Sequence, residues 1–590
     1  MRLKEAAALA ATVLAAAIPM LVVHWVPLGH GVAAHMLAIA LWGAALVLWA
    51  PLAGPVPWKP LAPLLCALGL VALGVAGSAA LHGTPQGIWL GALGALAAAA
   101  LTAMLGAAVS RTRPDEATRA LMWGLAVAAV ISLVVAVFQL AAPGRADTTW
   151  VAAAQTPGRA NANLGQPNHL ALLLLWGWLA TAVWPGRASA SDPRAGVMPA
   201  PSAGILAFVV TFGMQAGLVA TSSRAGLIAS LILAAWAALD PRLPRTSAWL
   251  LWSTALGGLA VTLGRVMMFP ASALGAGASL VRPGARSGVY LDSLNLLVEH
   301  PLVGVGWAEF ATAWTLSPLG DRGPRYFEHA HNLPLNLAVE LGLPLAMAVC
   351  ACLLWGAWEL LRTVNRVTPS LQPRARMLLA MLAAAGVLSG FDAPFWETHL
   401  LLPAAWAWGC AVGLIAGRAP SPRGTGEAPA ARPAPRAAHA TVGMRLALAG
   451  GAGALAIGAV GAWADFRQLL PAEARTLQAL ASYSGAPAAR TRFFGHFADH
   501  QAAITTRDVA LGAFSSARWV GIDTHLLTAW IGALERAGRT DESRYLMQRA
   551  LEFRDPAFGP WLAECRVVAP MQPPARCQPP GRELRWTDFR

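Results

Sequence analysis

Charged side chains are scarce in this chain: Asp, Glu, Lys and Arg make up 12% of its 590 residues. Soluble domains carry about 25%, so a water-soluble globular enzyme is excluded. Acidic residues are the scarcer kind, 29 against 43 Lys and Arg, and they form no Asp/Glu cluster with metal-ligand spacing on the face argued below to point outward. We therefore expect no metal and no other cofactor. Cysteine is sparse as well. Of six, Cys66, Cys350, Cys352 and Cys410 fall in apolar runs and behave as small hydrophobes, which excludes a disulfide framework. Cys565 and Cys577 lie in a polar tail and can pair where the compartment is oxidising.

Apolar residues fill the space that charge leaves, at 56% of the chain. This composition predicts an all-α polytopic membrane protein. Runs long enough to cross a bilayer lie near 6–26, 33–51, 61–81, 88–110, 120–142, 168–185, 203–221, 225–240, 247–266, 333–356, 376–392, 399–417 and 443–463, about thirteen in all. Met1-Arg2-Leu3-Lys4 ahead of the first run is read as the flank of an uncleaved anchor. With the N-terminus inside, the inner loops hold Lys59, Arg111, Arg113, Arg119, Arg242, Arg245, Arg362, Arg366, Arg374 and Arg376, while the outer loops near 27–32, 82–87 and 391–398 hold no Lys or Arg. This is the positive-inside pattern. It accounts for the net charge of +14 without nucleic acid.

The expected organisation is a transmembrane unit over 1–417 with a large outer loop at about 267–332, then a flexible cytoplasmic linker rich in Ala, Pro and Arg over 418–442. A last span over 443–463 returns the chain outside. Residues 464–590 then form an outer helical domain, with helical periodicity near 465–483, 500–513, 524–537 and 541–553. The last two resemble one tetratricopeptide-type pair.

Arginines on the outer face break the charge rule and so require a reason. Arg145, Arg159, Arg224, Arg282, Arg286, Arg322 and Arg325 all lie there. Each alone serves solubility, but together they suit a phosphate-bearing ligand, because the guanidinium fork matches phosphate oxygens. Thr221-Ser222-Ser223-Arg224 opens a membrane helix whose N-terminal amides and dipole also favour an anion; the alternative for Arg224 is snorkelling to the interface. Gly158-Arg159 through Gln166-Pro167-Asn168-His169 makes a tight polar re-entry into the membrane, where Asn168 is placed to cap the following helix. Gln166 and His169 beside it are candidate binding groups. In the outer loop Arg286 is a further phosphate candidate, and Tyr290 and Trp307 are read as packing. Glu328-His329-Ala330-His331-Asn332-Leu333-Pro334 then places imidazoles at the mouth of the next apolar run, with Asn332 as cap and Pro334 in the first turn. An imidazole is neutral and can accept a proton near neutral pH. Glu340 lies inside the apolar run, where a charge needs a partner or a function.

These stretches resemble the bacterial O-antigen ligase and O-antigen polymerase superfamily: His331-Asn332, nine residues, then Gly342 with Glu340 two before it, and Glu299-His300-Pro301-Leu302 running to Gly304-Val305-Gly306-Trp307. Asn163-Leu164-Gly165-Gln166-Pro167-Asn168-His169 and the outer tail resemble its PglL-type protein O-oligosaccharyltransferase branch. Where the superfamily pattern has Gly, Thr or Tyr three residues after Gly342, this chain has Leu345. The resemblance implies a glycosyltransferase C-like (GT-C-like) inner-membrane enzyme that moves a preassembled glycan from undecaprenyl diphosphate to a Ser or Thr hydroxyl of a pilin-like periplasmic protein, without a metal. Its nearest alternative is transfer to lipid A-core, or polymerisation, with the same donor and site. Carried onto this chain, it makes His331 the general base or an orienting group, Arg224 the main diphosphate ligand, Arg286 and Arg159 lesser ones, and Gln166, Asn168, His169 and Glu340 substrate contacts. A secondary transporter would place its site at the midplane between inverted repeats; here the polar groups gather at one surface.

Overall fold

A computed structural model describes residues 2–23, 31–146, 150–154, 156–183, 201–268, 286–320, 322–323, 325–417, 435–469, 491–565 and 575–590. The described residues are almost entirely helical, with two isolated β-bridges and no β-strand, because in lipid a helix satisfies its own backbone. Among them nine helices are long and apolar enough to cross a bilayer: α1 (Arg2–Leu21), α2 (Val32–Trp49), α3 (Trp58–His82), α4 (Gln86–Thr112), α5 (Pro114–Ala141), α9 (Arg245–Met268), α13 (Leu343–Thr363), α15 (Thr398–Ala416) and α16 (Pro435–Phe466). The other apolar intervals hold α6 (Pro167–Ala182), α7 (Pro201–Ala220), α8 (Arg224–Leu239) and α14 (Gln372–Ser389). Helix α6 has almost no polar face and is buried along nearly its whole length, as expected of a helix that is apolar all round. It lies at the centre of the bundle between α5, α7, α9 and α14. The chain is an integral membrane protein of the all-α polytopic class.

The interval 333–356 was expected to be one continuous span, and the structure corrects this. A short helix α12 (Leu333–Leu341) ends at Gly342, and α13 starts anew at Leu343. The break is built by the Pro301–Gly306 segment, which follows α10 (Arg286–Glu299). Leu343 N donates to Pro301 O at 2.8 Å, Val305 N to Val339 O at 2.8 Å and Gly306 N to Glu340 O at 3.0 Å. Gly342 (φ 84°) permits this close approach: a Cβ there would sit 2.1 Å from Leu302 O, and one on Gly304 would sit 2.5 Å from Glu340 O. The glycines of the two sequence motifs thus exist to let two backbones touch.

The loop that holds α10 and α11 (Phe310–Leu316) packs on the chain's tail, made of α17 (Gly495–Thr505), α18 (Leu511–Ala517), α19 (Thr524–Arg536) and α20 (Thr540–Glu552). One apolar core holds Leu296, Phe310 and Trp314 of the loop together with Phe514, Trp530 and Phe553 of the tail. Arg518 pairs with Glu309, both buried. Arg322 pairs with Glu552 at 3.1 Å, and Arg590 Nη2 donates to Val305 O at 2.7 Å. Helices α19 and α20 lie where helical periodicity was read over 524–537 and 541–553. The single helix expected over 500–513 is broken between α17 and α18, and the linker read to 442 turns helical from Pro435. Most of the periodicity read near 465–483 falls outside the described residues, α16 ending at Phe466. Cys565 and Cys577 form a disulfide.

Candidate functional site

Four segments distant in sequence meet around one carboxylate. Asp392, 1% exposed, lies in the short loop between α14 and α15. Its Oδ1 is 3.2 Å from His331 Nδ1, accepts from Gln166 Nε2 at 3.2 Å and from the Ala393 amide at 2.9 Å; its Oδ2 accepts from Asn168 Nδ2. Asn168 Oδ1 in turn accepts from Ser223 Oγ at 2.7 Å. Ser223 Oγ caps α8, taking the Gly226 amide at 3.0 Å. A continuous hydrogen-bonded path therefore runs from the His331 imidazole to the N-terminus of α8, whose first residue is the exposed Arg224.

The backbone around this path is unusual. His331 (φ 50°), Ser222 (φ 51°) and Ala162 (φ 47°) are non-glycine residues in the left-handed region, each in one of the converging segments. Such strain persists where surroundings over-determine it, and it gathers at functional sites. For His331 the surroundings are named contacts. Tyr290 Oη donates to its carbonyl at 3.1 Å, and its amide donates to His329 Nδ1 at 3.2 Å. Asn332 caps α12 through Leu335 N at 3.0 Å and donates to Gly390 O at 2.9 Å. The local sequence thus aims the imidazole at Asp392. With Nδ1 committed there, Nε2 is the nitrogen that can take a proton. Desolvation, with His331 beside it, pushes the His329 imidazole below its ordinary range.

Of the residues singled out from sequence, His331, Gln166 and Asn168 meet directly at Asp392, and Arg224 stands at the end of the path. Asn168 was expected to cap α6; instead Gln166 occupies the cap position without a side-chain cap bond, and both amides are spent on Asp392. Arg159 Nε donates to Thr221 O at 2.7 Å, and Ala160 N to Ala220 O at 3.0 Å, so the re-entry loop is fastened to the turn that presents Arg224. Arg286 opens α10 one turn before Tyr290; its side chain, like Arg282, lies outside the described residues. Tyr290, read as packing, holds the His331 backbone.

Glu340 is not brought to this group. It is 2% exposed in the last turn of α12, beyond Asn336, and the amides of Ala308 and Phe310 bond its carboxyl. Burial pushes that carboxyl up to about 8, those amides offsetting part of the shift. The unfolded carboxyl loses its proton near its ordinary 4.5, so between the two values the folded chain holds the extra proton and stability falls as pH rises. We expect Glu340→Gln to flatten that decline in a thermal-unfolding series across pH 5–9; a variant whose curve tracks the parent would show that Glu340 does not titrate in this way.

Sequence reading missed Asp392. Its signal was an acid in a short interhelical loop devoid of Lys and Arg, five positions before a second acid, Glu397. Only the fold shows that Asp392 and His331, 61 positions apart, are partners. The expectation of no metal-ligand cluster is likewise altered: His329, His331 and Asp392 present ligand atoms within 4.8 Å of one another, a mixed imidazole and carboxylate set that an acidic-cluster search overlooks. A second group is also new. His35 Nε2 lies 3.1 Å and His399 Nδ1 3.6 Å from Glu397 Oε2, and the His399 ring stands 6.4 Å from that of His169.

Comparison with known proteins adds one match. No curated protein matches the chain. The family described as O-antigen ligase matches residues 206–350, which contain Arg224, Tyr290, His331 and the Gly304–Gly342 contact; Gln166, Asn168 and Asp392 lie outside it. Over that stretch the chain is similar to O-antigen ligases, which supports a membrane-embedded function of glycan-transferring type, with a lipid-linked glycan as donor.

Proposed function

We propose that the protein transfers a preassembled oligosaccharide from undecaprenyl diphosphate to Ser or Thr hydroxyls of periplasmic, pilin-like proteins. The observation that carries this reading is the His331–Asp392 pair tied by Asn168 and Ser223 to the helix end that bears Arg224. It joins a proton acceptor to an anion-binding end, the two functions that glycosyl transfer from a diphosphate to a hydroxyl requires. His331 Nε2 takes the acceptor proton, which Asp392 stabilises on the ring. The hydroxyl oxygen attacks the anomeric carbon, and the bond to the diphosphate breaks. Arg224 and the α8 amides, with Arg286 and Arg159 as further candidates, hold the negative charge that leaves. Gln166 and Asn168 fix Asp392, and His169 lies alongside.

In this reading residues 1–417 form the transferase domain in the inner membrane, 418–442 are a cytoplasmic linker, and the site and the 464–590 domain face the periplasm. The loop-charge pattern and the Cys565–Cys577 disulfide support that orientation. We assign the reaction no metal: the Asp392 carboxylate accepts bonds from Gln166, Asn168 and Ala393 and in this reading serves to hold the His331 imidazole.

The test is transfer by the purified, full-length protein in lipid nanodiscs, offered lipid-linked glycan with either a pilin-like protein or lipid A-core, with and without EDTA. Glycoprotein formed equally with and without chelator is the expected result. Exclusive lipid A-core product would move the chain to the ligase reading that the family match favours, and loss of activity in EDTA, restored by a divalent ion, would assign the metal a place. Removing 464–590 is no substitute test, since the cut would expose the core shared with the outer loop.

A further inference from the structure

We propose that Glu397, His35 and the Trp307–Trp396 pair form a subsite for a sugar ring of the donor glycan, beside the His331–Asp392 pair. The inference rests on the transferase reading above and names what lies next to the diphosphate. Asp392 and Glu397 are the two ends of one short turn, and the chain between them reaches at most about 17 Å. Glu397 occupies the N-cap position of α15, where an acidic side chain ordinarily turns to its own helix's amides. It makes no such bond. Its carboxylate is flanked instead by His35 and His399. Burial opposes ionisation there, but His35 foremost, with His399 and His169, holds the carboxyl well below its usual range. Glu397 is therefore a charged acceptor that no helix amide uses.

Two independent observations point to a ligand. His169 is 6% exposed, yet its Nε2 has no hydrogen-bond partner; a buried polar atom left so costs about 1–3 kcal/mol. Its ring stands 6.4 Å from that of His399, whose Nδ1 flanks the Glu397 carboxylate at 3.6 Å. In addition, Trp396, the residue before Glu397, stacks on Trp307 at 5.2 Å and 28°, and both indoles are half-buried. Carboxylate, imidazoles and an indole pair suit one ligand chemistry. Sugar hydroxyls donate to a carboxylate and exchange bonds with imidazole nitrogens, and the C–H face of the ring packs on an indole. The donor's diphosphate, substituted at both ends, has no hydroxyl to donate at neutral pH and meets like charge at Glu397. The diphosphate thus belongs at the Arg224 end and the saccharide at Glu397.

Binding of two probes to the full-length protein in nanodiscs tests this: a polyprenyl diphosphate carrying one N-acetylhexosamine, and the same lipid without sugar. The sugar-bearing lipid should bind about tenfold more tightly. Glu397→Gln, which keeps the size of the side chain, and Trp396→Ala should each remove most of that advantage while leaving affinity for the sugar-free lipid unchanged. Equal binding of both lipids by the parent protein would overturn the subsite and leave the transferase reading standing, as would variants that lose both lipids alike. A parent protein that binds neither lipid would overturn the transferase reading and the subsite with it.

Discussion

Replacing His331 with Ala should slow glycan transfer about 10²–10⁴-fold, the range for a lost general base, while donor binding persists. Asp392→Asn should lose a comparable share. It keeps the shape but offers an amide where Gln166, Asn168 and the His331 imidazole each present a donor, so the ring no longer has a fixed tautomer. Groups that act as one unit are non-additive. The double variant should therefore be no slower than His331→Ala alone. Single-turnover assays with matched protein abundance measure both effects. Parent-like rates for His331→Ala would remove the imidazole from the chemistry, and multiplicative losses in the double variant would mean that Asp392 serves some separate purpose.

The second large effect concerns stability. Arg518→Ala leaves the Glu309 carboxylate, 0% exposed, with the more distant Arg590 at 3.6 Å as its remaining ion-pair partner among the described residues. Removing one partner of a buried pair costs about 3–5 kcal/mol, so hydrogen exchange should accelerate in the tail helices and in 286–316 together. Because the loss comes from an uncompensated charge, an apolar replacement of both partners, Glu309→Leu with Arg518→Met, should recover most of it. Protection unchanged in the single variant, or a double variant worse than the single, would show that the pair does not hold the two parts together.

Much of the architecture could be read from periodicity and charge, because a membrane helix must be a long apolar run and nothing else nearby resembles one. Asn332-Leu333-Pro334 was legible for a similar local reason: an Asx cap followed by Pro in the first turn is a helix start whatever surrounds it, and α12 begins there. The break at Gly342 was not legible. Leu335 to Leu353 is apolar throughout, and the interruption comes from the Pro301–Gly306 backbone laid across it. The site divided along the same line. His331 and Arg224 stood out as polar groups against the expected pattern, as did Gln166 and Asn168. Asp392 sat in a loop that looked ordinary because an acidic residue there obeys the charge rule, and its partners come from two other segments, 166–168 and His331. Asn168 was misread as a cap since the side chain that reaches it, Ser223, lies 55 positions away.

The shared core of outer loop and tail fixes a time order in the making of this protein. Glu309 waits for a residue synthesised 209 positions later, roughly 10–40 s at usual elongation rates. The ribosome thus finishes the transmembrane bundle before the segment carrying His331 has its covering. A nascent chain stalled before the last span would hold Asn168, Ser223 and Asp392 in the helical bundle but carry His331 on a loop that the tail has not yet covered. Under our orientation, export of the final helices is the step that completes the catalyst, and quality control acting on that export would govern how much working enzyme a cell possesses.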